Sequence, residues 1–142
     1  MSIIEITQCR IRRLSQIERE LIYAKSGFKY KWVTTASSKL THDNFTIIIP
    51  KGFLTDGNSG GSDFGNAWLF HDWLYATHKV SDGNNVTIEE ADQLMKDILV
   101  FERAPIHSRF FSCVSKCNPC CLFTSAWRDS GQRGPQFYND FW

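Results

Sequence analysis

The stretch from Pro50 to Asp92 constrains this chain more than any other. It reads PKGFLTDGNSGGSDFGNAWLFHDWLYATH, then a polar loop, then TIEEAD. Pro50 ends a run of strand formers, because proline has no N–H to give to a ladder. Residues 51–63 carry four glycines among Asp56, Asn58, Ser59, Ser62 and Asp63. That mixture is too rich in glycine for a helix and too polar for a buried strand, so a loop is predicted. Ser62 or Asp63 is the expected N-cap of a helix over about 65–78. Its apolar residues, Ala67, Trp68, Phe70, Leu74 and Tyr75, make a stripe broad enough for burial on more than one side. Asp82-Gly83 marks a turn in the loop 79–86. Thr87 and Glu90 then form a capping box, opening a helix to about Glu102 with Leu94, Met95, Ile98 and Leu99 at helical spacing. Two helices with a short connection are expected to lie antiparallel.

The flanks read differently. Ile3, Ile4 and Ile6 suit an edge strand or terminal arm, and the cluster Arg10, Arg12, Arg13 reads as a solvated face. Residues 19–25 and 28–35 are predicted to pair as a hairpin about Lys25-Ser26-Gly27, since Phe28, Tyr30 and Trp32 alternate with charged or small residues. Residues 37–44 look like a polar linker. Residues 45–49 look like a strand, with Phe45, Ile47 and Ile49 on one face and Thr46 and Ile48 on the other. A third helix is expected over about 106–114, and the last twenty residues look irregular or wrapped back over the body. The expected fold is α+β in a single domain, 1–142. Strands dominate 1–50, a glycine-rich loop spans 51–63, a helical hairpin spans 64–102, and a cysteine- and aromatic-rich cap spans 103–142. A small antiparallel sheet is expected to pack against the hairpin.

Composition narrows the function classes. A net charge of +1 gives no strong pull toward nucleic acid or an anionic surface, and no nucleic-acid partner is expected. No run approaches the roughly 20 apolar residues of a membrane span, and MSIIEITQCRIRRLSQ carries no export signal. Aromatic content of 14% is high and concentrated late in the chain, where it can fill a core or make an adhesive surface.

The two predicted helices bring chemistry together. At about 1.5 Å rise per residue, His71 and Asp92 fall within about one turn of the same level. A carboxylate there can fix one ring nitrogen of His71 and leave the other to act as a base on water. Asp72 lies about 100° further around the helix, toward the loop that carries Asp56. Oxygen ligands from such a loop suit calcium better than zinc. The same residues also admit a bland reading, a buried polar network that locks the loop to both helices.

HDWLY followed by Ala91-Asp92 is similar to the secreted phospholipase A2 superfamily, and its parvovirus-capsid branch shares the short His-to-Asp spacing. That resemblance implies His71 as base, Asp92 as its orienter, Tyr75 as the motif tyrosine, Asp72 as a calcium ligand, and Gly57, Gly60 and Gly61 as calcium-loop positions with Asp56. Over about 20–102 the chain also resembles an uncharacterised phage and bacterial family, domain of unknown function 1353. Pro50, Gly52, Phe53, Thr55, Asp56, Ser59, His71, Asp72, Leu74, Tyr75, Ala91 and Asp92 fit its pattern; Gly60-Gly61 departs from it. This second resemblance implies a viral or phage assembly-associated protein, in the virion or host cytoplasm. The alternative is a calcium-dependent phospholipid esterase.

Five cysteines, an odd number, argue against a complete disulfide framework. Cys113, Cys117, Cys120 and Cys121 leave three readings open: a zinc site, disulfides, or free thiols. Adjacent Cys120 and Cys121 ligate one ion poorly, so zinc is not favoured and free thiols are expected first. His42, His78 and His107 carry no partner signal and are expected at the surface. The tail aromatics Trp127, Phe137, Tyr138, Phe141 and Trp142 are expected to dock onto this protein or onto a neighbouring virion protein.

Overall fold

The computed structural model describes residues 3–56, 66–102 and 121–142. Six short strands form two separate antiparallel sheets of three. The first has the order β1-β4-β5, with β1 Ile3–Ile6, β4 Ser38–His42 and β5 Thr46–Ile49. The second has the order β2-β3-β6, with β2 Ile11–Arg13, β3 Trp32–Thr34 and β6 Leu54–Thr55. Four helices are described: α1 Gln16–Ser26, α2 Ala67–Thr77, α3 Ile88–Phe101 and α4 Cys121–Arg133. The class is therefore α+β, with two small sheets where one was expected. None of these helices is long and apolar enough to cross a membrane.

The first sheet and the α2–α3 pair share one core. Leu40, Ile47 and Ile49 lie in the same buried cluster as Phe70, Leu74, Ala91 and Ile98. Strand β5 follows its predicted alternation, Ile47 and Ile49 buried and Ile48 exposed. A second cluster joins Leu14, Ile22, Tyr30, Val33, Leu54 and Phe141 under α1. Burying a side chain such as Phe70 or Ile22 is worth about 1.5–3 kcal/mol, so both clusters fix their elements firmly.

Three stretches depart from expectation. Residues 19–25 are not a strand of a hairpin but most of α1. Ser15 and Glu18 form a capping box at its start, and Gly27 closes it at φ 74°, a left-handed conformation that favours glycine. Its apolar residues do not alternate between two faces: Ile22 is fully buried while Ile17, Leu21 and Tyr23 stay exposed. Residues 37–44 are not a linker, since β4 runs through them. Its inward residues are Ser38, Leu40 and His42, two of them polar, which hides the period of two. His42, expected at the surface, is buried and stacks on Phe45 at 4.4 Å.

The third stretch is the tail. Much of it is helical, in α4, where Ala126 and Trp127 pack against the main core. The rest does wrap back. Leu54 N–H donates to Gln136 O and Tyr138 N–H to Gly52 O, at 2.9 and 2.8 Å. Phe141 is buried in the second cluster, whereas Trp142 stays 54% exposed. The helix expected over 106–114 lies outside the described residues.

Candidate functional site

Helices α2 and α3 place three side chains together. His71 sits at the fifth residue of α2, Tyr75 one turn later on the same face, and Asp92 at the fifth residue of α3. The capping box, Thr87 Oγ1 accepting from Glu90 N–H and Glu90 Oε1 from Thr87 N–H, fixes where α3 begins and hence the level of Asp92. His71 Nε2 lies 2.7 Å from Asp92 Oδ1. Tyr75 OH donates to the same oxygen at 3.0 Å. Asp92 is only 6% exposed, and the His71 side chain is 18% exposed.

Protonation follows from this geometry. An ionised carboxylate only accepts, so Nε2 is the ring nitrogen that carries hydrogen. In the neutral imidazole Nδ1 then keeps its lone pair. It makes no hydrogen bond with any described residue. Burial, then the charge of Asp92 and the hydrogen bond to it, push the Tyr75 phenol well above its ordinary range. Tyr75 therefore stays protonated and remains a donor.

Asp72 points elsewhere. Its Oδ2 accepts from Thr55 Oγ1 at the end of β6. Asp56 follows directly and is half-buried. Burial raises the Tyr30 phenol, Arg133 draws it back, and Asp56 and Asp72 add to the rise, so these four groups share one electrostatic neighbourhood. Two carboxylates near the loop fit the hard-oxygen chemistry of calcium, which takes about six to eight oxygens. The remaining ligands would have to come largely from the loop, and Gly57, Gly60 and Gly61 lie outside the described residues. Among the described residues no three His, Cys, Asp or Glu side chains are grouped to hold a metal.

Ser62 and Asp63, the expected caps of α2, also lie outside the described residues. Asn66 occupies the N-cap without a capping side-chain bond. Its side chain instead accepts from Cys9 N–H at 3.0 Å and donates to Glu102, while its own N–H donates to Glu102 Oε1 at 2.9 Å. This buried amide ties the start of α2 to the end of α3. Cys9 is a free thiol that burial pushes up to about 11, with the Ser38 hydrogen bond opposing and Glu102 adding. It is therefore no nucleophile at neutral pH. Cys113, Cys117 and Cys120 lie outside the described residues. Cys121 opens α4, and its side chain is not among those described.

Three participants were missed in the sequence. Thr55 stood beside Asp56 in the loop motif, with no signal that its hydroxyl would hold Asp72. His78, expected to be a surface residue, ends α2 at φ 57° and stacks on Trp127 at 3.8 Å and 6°. Trp127 in turn meets the Tyr75 ring edge-on, at 4.9 Å and 85°. No local pattern announces a contact between residues so far apart in the chain. Comparison with protein-family models, with curated proteins and with solved structures gives no match, so the functional reading rests on this geometry and the motif.

Proposed function

We propose that the protein is an ester hydrolase in which His71 is the general base. The observation that supports this most is the bond of His71 Nε2 to a nearly buried carboxylate, with Nδ1 bonded to no described residue. A satisfied core histidine would use both nitrogens; among the described residues this one has a partner at Nε2 alone, on a partly exposed ring.

In the mechanism, His71 Nδ1 takes a proton from water as the water oxygen attacks the ester carbonyl. Asp92 stabilises the imidazolium that results, and Tyr75 holds the Asp92 carboxylate in place. His71 then returns the proton to the leaving alkoxide as the tetrahedral centre collapses, giving one acid and one alcohol. Asp56 and Asp72 would hold a calcium ion, which when bound supplies positive charge for the developing oxyanion. Phospholipid is the substrate class implied by the resemblance of HDWLY and Asp92 to phospholipase A2.

The test is fatty-acid release from mixed phospholipid vesicles, with and without Ca²⁺, beside His71→Gln. Calcium-dependent release that falls at least about a hundredfold in the variant is expected. Release no greater than that of the variant sinks the proposal.

A second reading is favoured by Trp142, an apolar residue left 54% exposed at the end of a docked tail. Here the chain is a virion or assembly protein, Trp142 meets a neighbouring protein, and His71, Asp92 and Tyr75 only brace the helices. It predicts that His71→Gln lowers stability while no lipolysis exists to be lost.

A further inference from the structure

Helix α4 has no part in the mechanism above, yet its one tryptophan touches the site's supports. Four rings stand in succession. His78 lies flat on Trp127, with centroids 3.8 Å apart and planes at 6°. Trp127 presents to Tyr75 at 4.9 Å and 85°. Tyr75 leans on His71 at 4.3 Å and 40°. The first contact is pinned by polar geometry as well, since His78 Nε2 lies 2.9 Å from the Trp127 carbonyl oxygen. Gly131, one turn further along α4, faces the His78 ring. A Cβ there would stand 2.3 Å from His78 Cε1, so only glycine leaves the ring its place.

This arrangement limits how Tyr75 can move. A tyrosine ring swings about two torsions, and its hydroxyl moves with the ring. The ring is met by His71, itself tied to Asp92. It is met as well by Trp127, itself clamped to the left-handed turn at His78 that ends α2. Edge-to-face pairs of this kind add attraction between the ring quadrupoles to what burial alone contributes. That attraction favours one orientation of the ring over its alternatives.

We propose that Trp127 is a positioning residue: by fixing the Tyr75 ring it holds the Asp92 carboxylate in register with His71. The inference deepens the hydrolase proposal and rests on it for the kinetic consequence alone; the effect on the His71–Asp92 bond stands apart from any activity. It also gives the C-terminal helix a purpose, as the brace of a site built on two earlier helices.

The test uses the full chain carrying Trp127→Ala, Trp127→Phe and Trp127→Leu, with two readouts. The first is the His71 Nε2 proton in NMR, shifted downfield and slow to exchange while it is bonded to Asp92. In Trp127→Ala its exchange is expected to speed up about tenfold, and Trp127→Phe, which keeps a ring edge, to recover most of the protection. Trp127→Leu keeps apolar volume without a ring and carries the test where the alanine variant fails to fold. The second readout is vesicle hydrolysis, where kcat is expected to fall about tenfold with KM within about twofold.

An unaltered His71 proton in the folded alanine or leucine variant overturns the proposal, whatever the activity. A protected His71 proton freed by Trp127→Ala in a protein that releases no fatty acid supports the positioning role and rejects the hydrolase reading.

Discussion

Among the described residues two tyrosine–carboxylate networks stand, and they differ in their basic partner. In the first, Glu18 accepts from Arg12 Nη1 and Nη2 at 3.0 and 2.9 Å, from the Tyr138 hydroxyl and from Ser15 N–H. In the second, Asp92 accepts from His71 and from the Tyr75 hydroxyl. Arginine brings a charge that never leaves and donors without an acceptor. The Arg12–Glu18–Tyr138 group is therefore a closed latch, joining β2, α1 and the C-terminal turn. Histidine brings one nitrogen to the carboxylate and keeps a second. On the hydrolase proposal, the same motif of carboxylate plus tyrosine serves as a reactive centre or a fastening according to whether its basic partner can give up a proton.

The largest effects should separate these two roles. Asp92→Asn is expected to lower kcat about 10²- to 10⁴-fold, because an amide offers NH₂ or a weak carbonyl where His71 needs a charged acceptor. His71→Gln should do the same with little loss of stability, since the glutamine amide can still donate to Asp92. Glu18→Gln is expected to leave kcat within about twofold while lowering the stability to urea by about 1 kcal/mol. The figure stays small because the Arg12 side chain is 46% exposed and solvent screens the pair. Loss of activity in Glu18→Gln without loss of fold would collapse the distinction.

The centre of the site was legible from sequence because it is local. His71 and Asp92 lie on two helices whose starts and stops are written in a capping box, a turn and periodic apolar residues. Helix pitch alone brings them level. The latch was not legible. Arg12 read as a solvated charge, and its partners Glu18 and Tyr138 sit on a helix read as a strand and on a tail read as irregular. The misreading of 19–25 shows why: Leu21, Ile22 and Tyr23 look like a strand core, but only Ile22 is buried, and Ser15 with Glu18 decides for helix. Strand β4 escaped for the opposite reason, because its inward Ser38 and His42 are polar. Trp127 was among the aromatics expected to dock, but its place beside Tyr75 and His78 was not legible by pattern, since it depends on how a distant helix packs.

The tyrosines sharpen the comparison at the next scale. Tyr75→Phe removes a buried hydrogen bond to a charge and is expected to cost about 2 kcal/mol, with a several-fold loss of kcat. Tyr138→Phe removes a bond to a carboxylate already held by Arg12 and should cost about 1 kcal/mol or less, with kcat unchanged. Thermal unfolding and initial rates of both variants decide it, and equal costs would show that burial matters less here than claimed. Gly131→Ala presses on one network alone. Its methyl would overlap the His78 ring, so the stack on Trp127 must shift, at an expected cost of about 1–2 kcal/mol. Stability unchanged in Gly131→Ala would mean that His78 yields freely and the brace is loose.

The smallest effect is in pH, and Glu18 and Tyr75 contribute to it with opposite signs. Arg12, then Tyr138 and Ser15, hold the Glu18 carboxyl well below its ordinary value of 4.5. A depressed folded value means that the contribution is complete above about pH 4.5 and is lost as pH falls toward the folded value. The stability gap between the wild type and Glu18→Gln, read by urea unfolding, should therefore close as the solution is acidified from about pH 5. Tyr75 runs the other way. Its phenol is raised, by burial first and by Asp92 next, above an ordinary value of 10.0. The folded state holds that proton longer than the unfolded chain does, so stability is complete below pH 10 and declines as pH rises beyond it. Tyr75→Phe should flatten this alkaline decline and leave the acid limb as in the wild type. Glu18→Gln should flatten the acid limb, and because the bond to Glu18 is the first cause that raises the Tyr138 phenol, it should also ease the part of the alkaline decline that Tyr138 contributes. If Tyr75→Phe altered the acid limb as well, the two networks would be coupled through the fold, and the separation of the latch from the His71 site would have to be given up.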